Sequence, residues 1–416
     1  MTLSSKSFVV AGAARQTGSV EIEVRVIADD EFDAFHRVDQ QGFQYTFTKA
    51  DPPRPDTWTR GELDRAFGAF VAGEMVGIGR NYSFDVTVPG GARVPAAAVS
   101  WIAVAPTHRR RGVLTRVMHA LADDAREHDE ALSILTASEG SIYRRFGYGP
   151  AGDRVGMTIE GAHGEFVRGF RDPGRVRFVD IDEAAKLFPS VYERTRATLG
   201  SVARPEFWWP EVIYGYEAET KFWVVHETAG EADGYAFYTV SGDWTNGVSD
   251  RTIEVVDLQA VTPTARLALW RYLLDVDLVT RVKASQVPID DPVRWALADV
   301  RRRRIDFVND GLWVKLIDVP AALAARAYEH DGELQFEVRG HGTFALEVRD
   351  GRGRCVSTAS RDDLVFDADV LGAAYLGQRS IVPFAAIGAA SGSGEQLAAA
   401  DRLFRTREPV AMLSYF

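Results

Sequence analysis

The sequence predicts an α/β (α+β) fold, with mixed central sheets flanked by helices in three successive units along 416 residues. Three observations support this. An apolar strand, a Pro-Thr-His turn and a helix with apolar residues on one face follow one another over residues 99–125. The order strand, Pro-Thr, helix returns at 253–276 and marks a weak internal duplication. A third stretch of strands and short helices begins near Asp310. The breaks are expected near residues 160 and 308, after a frayed tail over residues 1–19.

The elements follow in chain order. Residues 20–27 alternate as a half-buried strand does, and Asp29-Asp30-Glu31 opens a helix with acids at its positive end. Residues 67–72 and 75–82 surround Gly73-Glu74 as one hairpin, and 84–88 and 97–104 surround Pro89-Gly90-Gly91 as a second. Val113, Leu114, Val117, Met118, Leu121 and Ala125 form one apolar helix face. A strand at 132–137 leads through Ser138-Glu139-Gly140 into a short helical piece ending at Gly147. The second unit reads as a strand from near Val176, a helix over 182–199, strands at 221–226 and 234–240, then the strand–helix repeat. Arg301–Arg304 reads as a solvated or salt-bridging segment rather than a nucleic-acid patch. In the third unit the pattern gives a helix at 320–328 and strands at 334–338 and 344–348. Helices near 369–376 and 395–404 follow, before an apolar end at 409–416.

Composition removes whole classes of function. Lys plus Arg total 48 against 59 Asp plus Glu, a formal net charge of −11, whereas general nucleic-acid and anionic-membrane binders are basic. Neither partner is expected. The single cysteine, Cys355, excludes an internal disulfide and a Cys-rich zinc site, and it suits a reducing, cytoplasmic setting. No metal is expected, and no window approaches the ~18–20 apolar residues of a membrane span.

The run Arg109-Arg110-Arg111-Gly112 lies where a helix N-terminus presents unpaired N–H groups and its positive dipole end. Such a site suits a pyrophosphate. On charge alone, an exposed basic turn ahead of a helix remains an equal alternative.

The motifs decide between these. IAVAPTHRRRGVLT at 102–115 resembles the acetyl-coenzyme A signature of GNAT N-acetyltransferases, with Leu114 departing from the usual small residue. The fuller strings PTHRRRG, ASEGSIYRRFGYGPA at 137–151, DGLWVKLIDVPAALAARAY at 310–328 and DVLGAAYLG at 369–377 resemble one branch. That branch is the Eis (enhanced intracellular survival) family of actinobacterial acetyltransferases. The resemblance implies tandem GNAT-like domains plus a C-terminal sterol-carrier-protein-like α+β domain. The ranges are 20–160 for the catalytic domain, 161–308 for a degenerate one and 309–416 for the last. It also implies a homohexamer and acetyl-coenzyme A as cosubstrate. Carried over by position, Ile102, Ala103 and Val104 would pair with the pantetheine arm. Arg109, Arg110, Arg111, Gly112, Val113, Leu114 and Thr115 would hold the pyrophosphate, and Ser138 and Glu139 would lie beside the thioester.

The resemblance makes Tyr143 the general acid toward the departing thiolate, a suitable task for a phenol of pKa ~10. Tyr148 is the fallback and is expected to be structural. The general base implied is the C-terminal carboxylate of Phe416, consistent with an apolar chain end that docks rather than frays. His36, His108 and His119 are alternative bases, and His108 is expected to brace its turn. The acceptor expected is a primary amine: an aminoglycoside, a polyamine or a lysine-type amine. Aminoglycoside-acetylating relatives carry acids where this chain has Tyr415 and roughly Phe43-Gln44-Tyr45. A weaker preference for polycations follows. Phe43, Tyr45, Trp58, Phe84, Trp101 and Tyr415 are candidate pocket residues, each with core packing as its other reading. The competing function is a lipid- or sterol-binding scaffold with a vestigial GNAT domain.

Overall fold

The computed structural model describes residues 21–46, 61–161, 164–167, 169–214, 221–360, 363–411 and 416. The tail expected over residues 1–19, Trp58 and Tyr415 lie outside them.

The first part of the chain gives β1 (Glu23–Val26), α1 (Phe32–Phe43), β2 (Ala66–Val71), β3 (Glu74–Thr87), β4 (Arg93–Val104), α2 (Val113–Glu127), β5 (Leu132–Thr136), α3 (Gly140–Tyr143) and β6 (Gly149–Pro150). Next come β7 (Asp153–Glu160), β8 (Arg175–Val179), α4 (Ile181–Thr195), α5 (Trp209–Tyr214), β9 (Phe222–Thr228), β10 (Glu231–Ser241), β11 (Trp244–Thr245), β12 (Val248–Ser249), β13 (Arg251–Ala260), α6 (Pro263–Leu274), β14 (Val279–Val287), α7 (Val293–Ala296) and β15 (Arg303–Asp310). The last part holds β16 (Leu312–Leu316), α8 (Val319–Ala325), β17 (Gly332–Val338), β18 (Gly342–Arg349), β19 (Arg352–Thr358), β20 (Val365–Phe366), α9 (Ala368–Ala374), α10 (Val382–Ala385), β21 (Ala390–Ser391) and α11 (Gly394–Phe404).

Two seven-stranded sheets share one plan. The first runs β1-β2-β3-β4-β5-β16-β6 and the second β15-β7-β14-β13-β10-β9-β8. Each contains one parallel pair joined by a helix, β4–α2–β5 in the first and β13–α6–β14 in the second. The repeat read at 253–276 is therefore a structural repeat. A five-stranded sheet, β19-β18-β17-β20-β21, forms the third layer system with α8, α10 and α11, while α9 packs on β16 and β6 of the first sheet.

Sheet membership divides the chain differently from the expected breaks near 160 and 308. β7 joins the second sheet, and β16 returns to lie between β5 and β6 in the first. A strand's sheet is set by which edge pairs its backbone, which composition does not show. Two further expectations differ in detail. The strands expected at 75–82 and 84–88 are one strand, β3, because β4 pairs it from Gly77 to Thr87, past the exposed Ser83. The helix expected over 182–199 ends at Thr195. The basic run is ion-paired: Arg302 meets Glu160 at 2.9 Å and Arg304 meets Asp306 at 3.0 Å.

The first unit carries a buried charge cluster. Arg65 donates to Asp124 at 2.6 Å, to Glu130 at 2.7 Å and to Ser83 at 2.8 Å, while Asn81 reaches Asp124 at 2.7 Å. Charges taken from water need such complete pairing. The cluster pins the end of α2 to the β2–β3 hairpin, which fixes the helix whose other end forms the candidate site.

Candidate active site

The site begins where two parallel strands part. β4 and β5 pair from Ala96–Leu132 to Val99–Leu135, and then β4 turns away. A bulge drives the departure: Ser100 faces Arg80 and Ala103 faces Ile78, so the strand carries an extra residue there, and Trp101 takes φ +57°. Ile102, Ala103 and Val104 thus border a groove of about 640 Å³ with unpaired backbone available on that edge. The opening of a parallel pair at its strand ends is a usual place for a ligand in such sheets.

The N-terminus of α2 faces the same groove. Gly112 caps the helix at φ +85°, and a Cβ there would meet nothing within 4 Å, so the backbone lies open to an incoming group. Arg110 is also left-handed, at φ +61°. Left-handed residues beside a helix start turn several N–H groups toward one point. Arg109 and Arg110 are exposed, form no ion pair among the described residues, and line the groove with Val113, Leu114 and Thr115. The open edge, the N–H groups at the helix start and two guanidinium groups without ion pairs among the described residues, of which Arg109 also donates to the Gly42 carbonyl at 3.2 Å, fit a pantetheine arm followed by a pyrophosphate. Arg111 is exposed but does not line the groove, a difference from its expected role.

Ser138, Glu139 and Tyr143 close the far wall. Tyr143 ends the single turn of α3 and is 3% exposed. Burial raises its phenol above the usual value, against a hydrogen bond from Ser138 that opposes the rise. Its ring packs against Tyr148 at 6.3 Å and Trp313 at 6.4 Å. Tyr148 is sealed in the core: its hydroxyl meets Ser133 Oγ at 2.7 Å, and Ser133 also donates to the Ala97 carbonyl. It therefore has a structural role.

The chain terminus reaches this region. Val410 enters between Gly152 and Gly200, where added Cβ atoms would lie 2.8 Å and 2.7 Å from its Cγ1. Ala411 N–H donates to the Leu199 carbonyl at 2.9 Å. Phe416 is buried, its ring edge-on to Phe84 at 5.5 Å, and Thr136 Oγ1 donates to its main-chain oxygen at 3.3 Å. Thr136 is the last residue of β5, at the point where β4 and β5 separate. The Phe416 main-chain oxygen thus sits at the end of β5, where the two strands part.

The candidate pocket residues divide. Phe84 is buried in an aromatic cluster with Tyr82, Trp208 and Phe416. Trp101 joins it through Nε1, which donates to the Tyr82 hydroxyl at 2.9 Å. Phe43 is half exposed on the coenzyme groove and makes no ring contact among the described residues. Tyr45 donates to Asp39 at 2.5 Å, so an acid stands beside the Phe43-Gln44-Tyr45 segment, where aromatics were expected in place of acids. Of the alternative bases, His36 packs its ring on Phe32 and Trp101, His108 meets Thr107 Oγ1 at 2.9 Å, and His119 faces a separate cleft.

Sequence reasoning missed Thr136, Gly42, Ile142 and Arg145. The last three line the groove, and Gly42 approaches so closely that its Cβ would lie 2.7 Å from that of Ala103. Thr136 could have been noticed as the one hydroxyl at the end of an apolar strand beside the motif. Gly42 belongs to another element, and nothing local marks it.

Comparison with known proteins agrees with this geometry. An acetyltransferase (GNAT) domain model matches residues 23–151, a second matches 200–316, and a sterol carrier protein domain model matches 319–412. An uncharacterized N-acetyltransferase of Streptomyces griseus is 35% identical over 406 residues, covering 93% of this chain and 98% of its own. The N-acetyltransferase Eis of Mycobacterium tuberculosis is 37% identical over 327 residues, 74% of this chain and 78% of its own. The crystal structure of Eis1 from Mycobacterium abscessus superposes with a TM-score of 0.84 at 33% identity, covering 95% of this chain and 100% of that one. With two GNAT units, a sterol-carrier-like third and a groove suited to coenzyme A, the chain belongs to the Eis family of acetyl-coenzyme A-dependent N-acetyltransferases.

Proposed function

We propose that the enzyme acetylates a primary amine by direct attack in a ternary complex, with Tyr143 as general acid and the Phe416 carboxylate as general base. The observation that supports this most is the hydrogen bond from Thr136 to the Phe416 main-chain oxygen, at the end of the strand that leads through Ser138 and Glu139 to Tyr143 in the groove wall. Acetyl-coenzyme A supplies a thioester whose sulfur departs as a thiolate. Ile102–Val104 would orient the pantetheine amides, and Arg109, Arg110 and the open N–H groups at Gly112 would hold the phosphates. The Phe416 carboxylate would take the proton of the attacking amine. Tyr143 would give its proton to the leaving sulfur, and its burial favours the protonated phenol that this role needs.

The acceptor we infer is a small-molecule or lysine-type amine, with polycations such as aminoglycosides and polyamines used less well. Support comes from the aromatic packing beside Phe416, whose ring meets Phe84, itself packed on Tyr82 and Trp208. An amine panel scored by thiol release tests it: a simple primary amine should outperform spermidine and kanamycin, and the reverse order would reject the inference. No helix among the described residues is long and apolar enough to cross a membrane. We assign the enzyme to the cytoplasm on the strength of its one cysteine, and to a homohexamer by family resemblance, which light scattering can check. A lipid-carrier function is disfavoured. Phe336, Phe344, Phe366, Tyr375 and Phe404 fill the third unit, and Arg326 within it donates to the Tyr375 and Phe404 carbonyls.

A further inference from the structure

A second cleft, of about 780 Å³, lies on the other side of the loop that follows Tyr143. It separates the first unit from the third, and Arg145 borders both it and the coenzyme groove. At its base stands Lys315, on β16 and opposite Ser133 in register. Its ammonium lies 5.6 Å from the Tyr148 ring, and the side chain is half buried. Among the described residues Lys315 forms no ion pair.

The surroundings of this lysine are mostly cationic. From α2 come Arg126, held by Asp123 at 2.5 Å, and His119. From the loop come Arg145 and Arg144, the latter 3.6 Å from Asp369. From the third unit come His341 and Arg339, which meets Asp367 at 2.5 Å. Five Lys and Arg side chains therefore face three carboxylates, before either histidine is counted. Burial, with the nearby Arg126 charge, lowers the Lys315 ammonium to about 8, against a smaller opposing pull from Asp123. At pH 7 such a group is a neutral amine in about a tenth of molecules, against fewer than about one in a thousand for an ordinary lysine.

We propose that Lys315 is a site of covalent N-acetylation, modified directly by acetyl-coenzyme A that the cationic cleft attracts through its phosphates. The neutral Nζ attacks the thioester carbonyl. An N–C bond forms, the C–S bond breaks, coenzyme A leaves as the thiolate, and the surplus N–H proton passes to solvent. The chemistry needs no residue of the catalytic groove. It neutralises the lysine that sits under the Tyr148 ring.

The chain has six lysines, so the test is a direct comparison within one molecule. Full-length protein is incubated with acetyl-coenzyme A without an acceptor, at pH 7 and pH 8, and peptide masses follow acetylation with time. Lys315 should gain acetyl at least about tenfold faster than Lys186 and Lys283, which are exposed. Arg126→Gln should slow Lys315 several-fold, since it removes both an attraction for phosphate and the like charge that favours the neutral amine. Tyr143→Phe should leave the rate at Lys315 unchanged. Modification of Lys315 no faster than of Lys186 and Lys283 overturns the proposal, as does a loss of modification in Tyr143→Phe, which would place the transfer in the catalytic groove.

Discussion

Tyr143 and Tyr148 lie five residues apart, and burial acts on them with different consequences. Tyr148 spends its hydroxyl on Ser133, deep between β4 and β5, so its raised pKa serves only packing. Tyr143 borders the coenzyme groove, where its raised pKa suits the acid role proposed for it. Tyr143→Phe should therefore lower kcat by about 10²–10⁴, the usual contribution of a positioned acid, with little change in KM for acetyl-coenzyme A. Steady-state kinetics decide this, and an unchanged kcat removes Tyr143 from the mechanism. The pH profile follows from the same shift. A raised phenol stays protonated beyond its ordinary value, so the alkaline loss of kcat owed to Tyr143 should fall above pH ~10. A fall in kcat beginning well below that, and abolished in Tyr143→Phe, would contradict the direction of the shift.

At the level of elements, the strand–loop–helix at 93–127 was legible because its signals are local: an apolar strand, a glycine at the helix start and one-faced helical spacing. The route of the chain end was only half legible. Apolar residues at 409–416 announced docking, but the receptor is built from Gly152 and Gly200, one in the β6–β7 turn and one after α4. Each glycine looks like an ordinary turn residue until the fold brings the two around Val410. The bulge at Trp101 was likewise invisible, since the register shift depends on what β3 offers opposite. The tail's geometry makes a prediction of its own. Three residues appended after Phe416 move the carboxylate away from Thr136 while Val410 and Ala411 keep their contacts. Turnover should fall at least about tenfold, corresponding to about 1.4 kcal/mol of transition-state stabilisation, with Tm unchanged. Wild-type turnover in the extended chain would exclude the terminal base. A lowered Tm would instead show that the appended residues disturb the docking.

At the scale of the molecule, the exchange of strands makes the first two units interdependent. β16 reaches the first sheet only after the chain has traversed the second, and β7 enters the second directly from the first. The sequence showed the order of these segments, whereas partnership depends on edges that close late in the chain. Leu312, Trp313, Val314 and Leu316 are all buried in the β16 position. At about 1.5–3 kcal/mol for each buried large apolar side chain, the strand contributes roughly 6–12 kcal/mol of apolar burial, comparable with the whole stability of a domain. A fragment ending at residue 160 therefore lacks β16, leaves the Leu132–Thr136 edge open and strips Trp313 from Tyr143. An unpaired central edge is also a template for association. Such a fragment should be unfolded or aggregated by circular dichroism and light scattering, and the full chain should melt its first two units in one calorimetric transition. A soluble, cooperatively folded fragment, or two separate transitions for these units, would show that β16 is an accessory strand. The C-terminal third would then serve the active site through Phe416 alone.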